Sequence, residues 1–244
     1  MKEGTYKVKT TNYTFILDIL HYDTTYSIKY GDALNNRNGP CIELTYDIED
    51  DYIKLDSLMY DIRCSHKEEL KKGDGTREMI KSIMKLCIQM FPDVKRIVFN
   101  DVSSIMCNNK NLFLCYYYLL LHGETWYEKY FNAKPLKQKL SRKLKLFKEF
   151  LKDKPKNDVF TFYRSGNYET WHDYFKTKPC EFFIDHKNEI EKISQIKLVY
   201  SDWYISSKYI SEYDVDILSV KKYKQQAGGF NNMSKNQLFT FEDL

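Results

Sequence analysis

A strand, a glycine turn, a helix and a second strand follow one another between residues 53 and 99, and this order limits the fold most strongly. Residues 53–60 alternate well enough to predict a strand, and residues 96–99 predict another. Between them, apolar side chains recur at helical spacing: Ile80, Ile83, Met84, Cys87, Ile88 and Phe91. The chain therefore predicts a crossover from one strand to the next through an amphipathic helix.

The turn before this helix reads Lys71-Lys72-Gly73-Asp74-Gly75-Thr76. Glycines let a ligand approach the backbone closely, and the free N–H groups at a helix start favour an anion. The turn therefore predicts a phosphate site. The alternative is a plain strand-to-helix turn in which Asp74 or Thr76 caps the helix.

Further strands and helices are predicted on both sides of this unit. Residues 14–20 and 25–30 indicate a hairpin that turns near Asp23, and a third strand at 41–46 places Ile42, Leu44 and Tyr46 on one face. Helices are predicted at 108–121 and 124–131, and extended segments at 197–200 and 203–205. Strands thus dominate the first hundred residues.

The composition is that of a folded protein. The 244 residues are 43% hydrophobic and 30% charged, which favours a buried core over global disorder. The net charge of +4 is too small to indicate a nucleic-acid partner by itself. The first residues do not resemble a signal peptide, and the longest apolar run, 112–121, is too short to span a bilayer. We therefore expect a cytoplasmic protein, or one packaged in a particle assembled inside a cell.

The six cysteines form no Cys-x-x-Cys pair and no cluster with histidine at zinc-ligand spacing. This spacing predicts no metal site. It also predicts reduced thiols that behave as small apolar residues, as expected in a reducing compartment.

The predicted organisation has four parts. Residues 1–133 form the first domain, and residues 134–156 form a basic amphipathic helix that connects it to the rest. Residues 157–223 form an aromatic-rich C-terminal α+β subdomain, and residues 224–244 form a mobile tail with little to bury. The chain contains one short internal repeat: Glu124-Thr125-Trp126 recurs 45 residues later as Glu169-Thr170-Trp171. Two copies do not make a solenoid, so chance or a reused helix–aromatic contact explains them.

The order of elements in residues 14–131 is similar to the GNAT superfamily of N-acetyltransferases. The resemblance implies an α/β fold with a mixed, mostly antiparallel twisted sheet flanked by helices. It also implies acetyl-CoA as cofactor and transfer of acetyl to an amine of a small molecule or a protein. In composition, the chain also resembles a protein of a large cytoplasmic DNA virus, so its compartment would be the host cytoplasm or the virion.

The resemblance also implies roles for individual residues. The strand ending in Leu58 and Met59 would pair with pantetheine, and the pyrophosphate loop would comprise Lys72, Gly73, Asp74, Gly75 and Thr76. Tyr127 would match the tyrosine that protonates the leaving thiolate, and Asp56 or Glu43 would act as base. The alternatives are solvated strand carboxylates and a core aromatic side chain.

The alternative to an enzyme is a non-catalytic viral structural or assembly protein that keeps the same scaffold. It would bind a protein partner through its C-terminal part or its tail. The basic run at 137–152 could bind nucleic acid or an acidic partner, although it is also what the solvated face of an amphipathic helix looks like.

Overall fold

The computed structural model of the chain describes residues 3–30, 41–58 and 74–223. Three residues of the predicted cofactor site lie outside the described residues: Met59, Lys72 and Gly73. The predicted tail at 224–244 lies outside them as well. The chain divides into a first unit, residues 1–98 and 205–244, and a second unit, residues 99–204. The domain boundaries inferred from sequence stay a prediction.

Strands precede the first helix. In chain order the elements are β1 (Gly4–Thr10), β2 (Thr14–Tyr22), β3 (Thr25–Tyr30), β4 (Ile42–Asp47), β5 (Tyr52–Leu58), α1 (Asp74–Met90) and β6 (Arg96–Asn100). The hairpin predicted at Asp23 is confirmed, because β2 and β3 pair from Leu17 opposite Tyr30 to Tyr22 opposite Thr25. Asp23 occupies the turn with a φ of 48°, a conformation that aspartate tolerates well.

Short helices dominate the middle of the chain. The elements are β7 (Ser104–Cys107), β8 (Lys110–Phe113), α2 (Leu114–His122), α3 (Trp126–Phe131), β9 (Lys134–Pro135), α4 (Gln138–Phe150), α5 (Trp171–Lys176), α6 (Cys180–Asp185) and α7 (Lys187–Ser194). They are followed by β10 (Asp202–Ser206), α8 (Ser207–Ser211) and β11 (Ile217–Tyr223). Among the described residues, no helix combines the length and the apolar character needed to cross a membrane.

The first unit is built on a sheet in which neighbouring strands follow the order β11, β1, β2, β3, β4, β5 and β6. The pairs from β11 to β5 are antiparallel. Along β4, Ile42, Leu44 and Tyr46 are buried while Glu43 and Thr45 are half-buried, as a two-residue period requires. The predicted class, α/β with a large, mostly antiparallel sheet flanked by helices, is confirmed. The similarity to acetyltransferases stays a prediction.

Helix α1 packs on the apolar face of this sheet and confirms the predicted helix. Ile80, Ile83 and Cys87 are all buried, as their spacing requires. The Phe91 ring, which follows the helix, lies 4.3 Å from the Tyr46 ring between centroids. At the other end, Glu78 accepts a 2.9 Å hydrogen bond from the hydroxyl of Thr10. Helix α1 is therefore fixed to the sheet near both of its ends.

The second unit has a core of aromatic rings and a disulfide. Trp171 is fully buried, with ring contacts to several neighbours: Phe150, Phe160, Tyr163, Tyr174 and Phe175. Cys107 at the end of β7 is bonded to Cys180 at the start of α6. Cys41, in the first unit, is also disulfide-bonded. The prediction that all cysteines are reduced is therefore wrong, because spacing along the sequence does not reveal thiols that the fold brings together.

Three predicted elements differ from the structure. Residues 108–121 were predicted as one helix, but Asn108 and Asn109 form a hairpin turn with positive φ, and the helix starts only at Leu114. The connecting helix predicted at 134–156 is shorter, because β9 takes its first residues and α4 ends at Phe150. The segment 197–200 was predicted as extended but ends in a turn before β10.

Candidate functional site

The two carboxylates predicted as catalytic bases lie on neighbouring strands and already have partners. Glu43 forms a 2.9 Å ion pair with Lys29. Asp56 accepts a hydrogen bond from Thr45 and forms an ion pair with Lys54, both at 2.5 Å. The hydrogen bond from Lys54 to Asp56 raises the pKa of that lysine, which keeps it protonated. These contacts lie on the polar face of the sheet, and a role as base stays a prediction for both residues.

Tyr127, the predicted proton donor, is buried in the second unit. Its side chain is 4% exposed, and its ring lies 4.5 Å from the Phe99 ring and 5.0 Å from the Trp126 ring. Burial raises the pKa of Tyr127 well above its usual value, and the nearby Asp101 raises it further. The hydroxyl therefore holds its proton at physiological pH, but the side chain contributes mainly packing in this arrangement. Its catalytic role stays a prediction.

The described part of the predicted phosphate turn forms the first turn of α1. Leu58 ends β5, and Asp74, Gly75 and Thr76 open the helix. Gly75 is buried. The Thr76 hydroxyl is also buried and has no hydrogen-bond partner among the residues whose positions are described. A buried hydroxyl normally has a partner, so this one is open to a polar group that approaches the helix start.

Asp101, directly after β6, is a buried acid that the sequence did not single out. Its side chain is 1% exposed. One carboxylate oxygen accepts hydrogen bonds from the backbone N–H of Ser103 at 3.1 Å and from its hydroxyl at 2.6 Å. The other oxygen has no partner within the described part of the chain. Burial raises the pKa of Asp101 to about 6, against the lowering effect of the Ser103 hydrogen bonds.

Asp101 makes the stability of the protein depend on pH. Because its pKa rises from 3.8 to about 6 on folding, the folded state binds more protons than the unfolded state between these pH values. This contribution to the free energy of unfolding is therefore lost as pH rises through about 6, and it amounts to about 3 kcal/mol. Asp101→Asn removes it. We expect the free energy of unfolding of the variant, relative to that of the natural chain, to rise by about 3 kcal/mol between pH 4 and pH 7.

Urea unfolding of both proteins at several pH values between 4 and 7 measures this gain. Other carboxylates contribute equally to the two proteins, so only the difference between the two curves matters. Parallel curves would show that Asp101 keeps an ordinary pKa.

A cavity of about 350 Å³ lies beside the start of α4 in the second unit. One wall carries Lys137, Lys139, Leu140 and Lys143, and the other carries Lys197, Val199, Tyr200, Ser201 and Asp202. The lysines of the first wall belong to the basic run at 137–152, which is visible in the sequence. The second wall is about 60 residues away along the chain, and no sequence pattern joins the two. Of the residues predicted to bind the cofactor, those that the structure describes, Leu58 and residues 74–76, do not line this cavity.

Cys107, Cys180 and Glu181 bring three metal-ligand atoms within 4.8 Å of one another. Both sulfur atoms belong to the disulfide, so neither is the thiolate that a metal ion requires. The Glu181 carboxylate accepts a hydrogen bond from the side chain of Asn108. In its oxidised form this cluster therefore fixes the β7–β8 hairpin to α6.

No protein-family model matches the chain. Searches of curated proteins and of solved structures also gave no match.

Proposed function

We propose that the chain is an acetyl-CoA-dependent N-acetyltransferase that transfers an acetyl group to an amine. The observation that carries this proposal is the buried Thr76 hydroxyl in the first turn of α1, which has no hydrogen-bond partner in residues 3–30, 41–58 and 74–223. Helix α1 leads from β5 to β6, its neighbour in the sheet. A buried hydroxyl beside the amides of a helix start suits a phosphate oxygen. The element order antiparallel strands, strand, glycine turn, helix and strand supports the same conclusion.

The residues present fit such a cofactor at one end of α1. The Thr76 hydroxyl and the first-turn amides would donate to phosphate oxygens, and Lys72 would supply positive charge from the preceding segment. Leu58, which ends β5, and Met59, the next residue in the sequence, would hold the pantetheine arm. Acetyl-CoA would supply the acetyl group as a reactive thioester. Fold alone does not establish this chemistry, so the proposal depends on the binding site.

The remaining chemistry belongs to the chain's carboxylates and to Tyr127. Glu43 or Asp56 would take a proton from the attacking ammonium, directly or through a water molecule, once an amine competes with their lysine partners. Tyr127 would donate a proton to the leaving sulfur, although burial raises its pKa and so makes it a weaker acid for this step. This role requires the aromatic contacts around Tyr127 to open.

The second candidate is a non-catalytic interaction protein on the same scaffold, such as a viral assembly component. One specific observation favours it. Tyr127 is packed among aromatic rings, and Glu43 and Asp56 are already in ion pairs, so each proposed catalytic group has a structural role. In this case the protein would act through a partner, and acetyl-CoA would not bind.

Calorimetric titration of acetyl-CoA into tens of micromolar protein tests the proposal. We expect the natural chain to bind and Gly75→Glu to weaken binding by at least about tenfold, because it puts a negative side chain at the phosphate position. Gly75→Ala is the matched control and should bind, since it adds no charge. If the natural chain shows neither heat nor a thermal shift, the acetyltransferase proposal fails and the interaction function remains.

Gly75 is buried, so a folding defect must be distinguished from a binding defect. Circular dichroism and thermal unfolding of both variants make this distinction. Lys72→Gln provides a second readout that does not touch α1. It should weaken acetyl-CoA binding several-fold through the lost charge, and unchanged affinity would argue against the assigned phosphate position.

A further inference from the structure

The lysine-lined cavity of the second unit has the charge of an anion site. Four lysines, Lys137, Lys139, Lys143 and Lys197, line it, and Asp202 is the one carboxylate that the described part of the chain adds to the lining. Asp202 is already occupied, since it pairs with Lys137 at 3.1 Å and accepts a 2.7 Å hydrogen bond from Asn100. The cavity therefore keeps a clear excess of positive charge.

Two of these lysines are available for a ligand. Lys143 donates a 2.9 Å hydrogen bond to the backbone oxygen of Gln195, which holds its ammonium group at the cavity. Lys139 and Lys197 are exposed, and within the described ranges neither ammonium group forms an ion pair or a hydrogen bond. Unpaired ammonium groups on opposite walls, with a third fixed between α4 and the end of α7, can bind several phosphate oxygens at once.

Tyr200 gives the cavity an exposed aromatic ring in a strained position. Its side chain is 69% exposed, and its backbone has a φ of 61°, which a bulky residue rarely adopts. Two backbone hydrogen bonds hold the turn. The Tyr200 N–H donates to the backbone oxygen of Asp101 at 3.1 Å, and the Ser201 N–H donates to the backbone oxygen of Leu198 at 3.0 Å. Strain of this kind persists where neighbouring contacts impose it, and it is concentrated at functional sites.

We propose that this cavity binds a nucleoside polyphosphate. The phosphates would lie among Lys139, Lys143 and Lys197, and the base would stack on the Tyr200 ring beside Leu140. A volume of about 350 Å³ is near the lower limit of small-molecule sites, about 300 Å³, and suits one nucleotide rather than a strand. The site goes beyond the proposed acetyltransfer, because Leu58 and Thr76, the described residues assigned to acetyl-CoA, do not line it.

The basic residues of α4 outside the cavity do not extend the site into a track for a nucleic-acid strand. Lys148 is paired with Glu128 at 2.7 Å, and neither Arg142 nor Lys145 lines the cavity. A strand would need cationic groups spaced along its backbone. The observations therefore favour a single nucleotide.

Fluorescence anisotropy with a fluorescent ATP analogue tests the proposal on the full chain at physiological salt. We expect Lys139→Glu and Lys197→Glu each to weaken binding by at least about tenfold, since each replaces an ammonium group that faces phosphate by a carboxylate. Lys145→Glu is the matched control, because it makes the same charge change on an exposed position of α4 outside the cavity. It should bind within about twofold of the natural chain.

Tyr200 provides a second, independent readout. Tyr200→Gly should weaken binding of the analogue about tenfold through lost stacking, while thermal stability is not reduced, because glycine adopts a φ of 61° without strain. Tyr200→Phe should keep the affinity, since the ring remains. A loss of binding in Tyr200→Gly without a loss of thermal stability would show that the ring acts on the ligand.

Three results would overturn the proposal. The first is no binding of the analogue by the natural chain at millimolar concentration. The second is an equal loss in Lys145→Glu, which would show that only the general charge of the surface matters. The third is tighter binding of a single-stranded oligonucleotide than of the mononucleotide, which would make the site part of a nucleic-acid surface. The test is independent of acetyltransfer, because the substitutions change residues of this cavity and none of the residues assigned to acetyl-CoA.

Discussion

Trp171→Ala is expected to cost about 3–5 kcal/mol of the free energy of unfolding, the cost of removing a large side chain from a packed core. Trp171 is fully buried at the start of α5. Its ring lies 4.9 Å from the Phe160 ring and 5.1 Å from the Tyr163 ring. Removing it deletes these contacts and leaves a cavity that the surrounding rings fill only partly. The midpoint of thermal unfolding, followed by near-ultraviolet circular dichroism, should fall by on the order of 10 °C.

Trp126→Ala is the matched control for this loss. Both tryptophans follow a threonine that caps a short helix, Thr125 before α3 and Thr170 before α5. Trp126, however, is only half-buried, so its removal opens less of the core. We expect a smaller loss from Trp126→Ala. Equal losses would show that Trp171 is not the centre of the aromatic core.

Removal of the Cys107–Cys180 disulfide is expected to cost about 4 kcal/mol, because the bond joins residues 73 positions apart and restricts the unfolded chain. It also fixes the β7–β8 hairpin to α6. The test is urea unfolding of Cys107→Ala/Cys180→Ala beside the natural chain, without reductant. Alanine suits both positions, since Cys107 is buried and a serine hydroxyl there would need a partner.

Peptide mapping under non-reducing conditions is the control for this experiment. It should identify a peptide that links Cys107 to Cys180 in the natural chain, while the buried thiols of Cys87 and Cys115 stay free. A natural chain with the bond intact and the same stability as the double variant would contradict the expected gain. Structural disulfides persist mainly in oxidising compartments. The cytoplasmic location therefore stays a prediction, and the redox state of these cysteines bears on it.

Alternation and helical spacing predicted the first unit well, because its strands have one buried face. Ile42, Leu44 and Tyr46 on β4 and Ile80 and Ile83 on α1 lie inside, as their spacing required. The same reasoning was wrong at residues 108–121. The apolar residues there belong partly to a short strand and partly to α2, and the turn depends on Asn108 and Asn109 in a left-handed conformation that spacing does not reveal.

The candidate sites were predictable only where their residues are neighbours in sequence. The glycine turn and the lysines of α4 stand out as short patterns. Lys197 and Tyr200 join the lysines only because the chain folds back after α7, and Asp101 is one acid among many until its burial is known. The Cys107–Cys180 bond depends on the same long-range proximity. Local chemistry was therefore visible in the sequence, while the sites assembled by the fold were not.

The pairing of β1 with β11 has a consequence for synthesis on the ribosome. Thr5 lies opposite Tyr223, so the first strand of the sheet cannot gain this neighbour until more than two hundred further residues have been translated. Residues 99–204, by contrast, form a continuous segment that leaves the ribosome earlier. During elongation β1 therefore lacks its β11 partner on one edge, and exposed strand edges promote aggregation. The nascent chain should depend on chaperones over this interval, until its last described strand emerges.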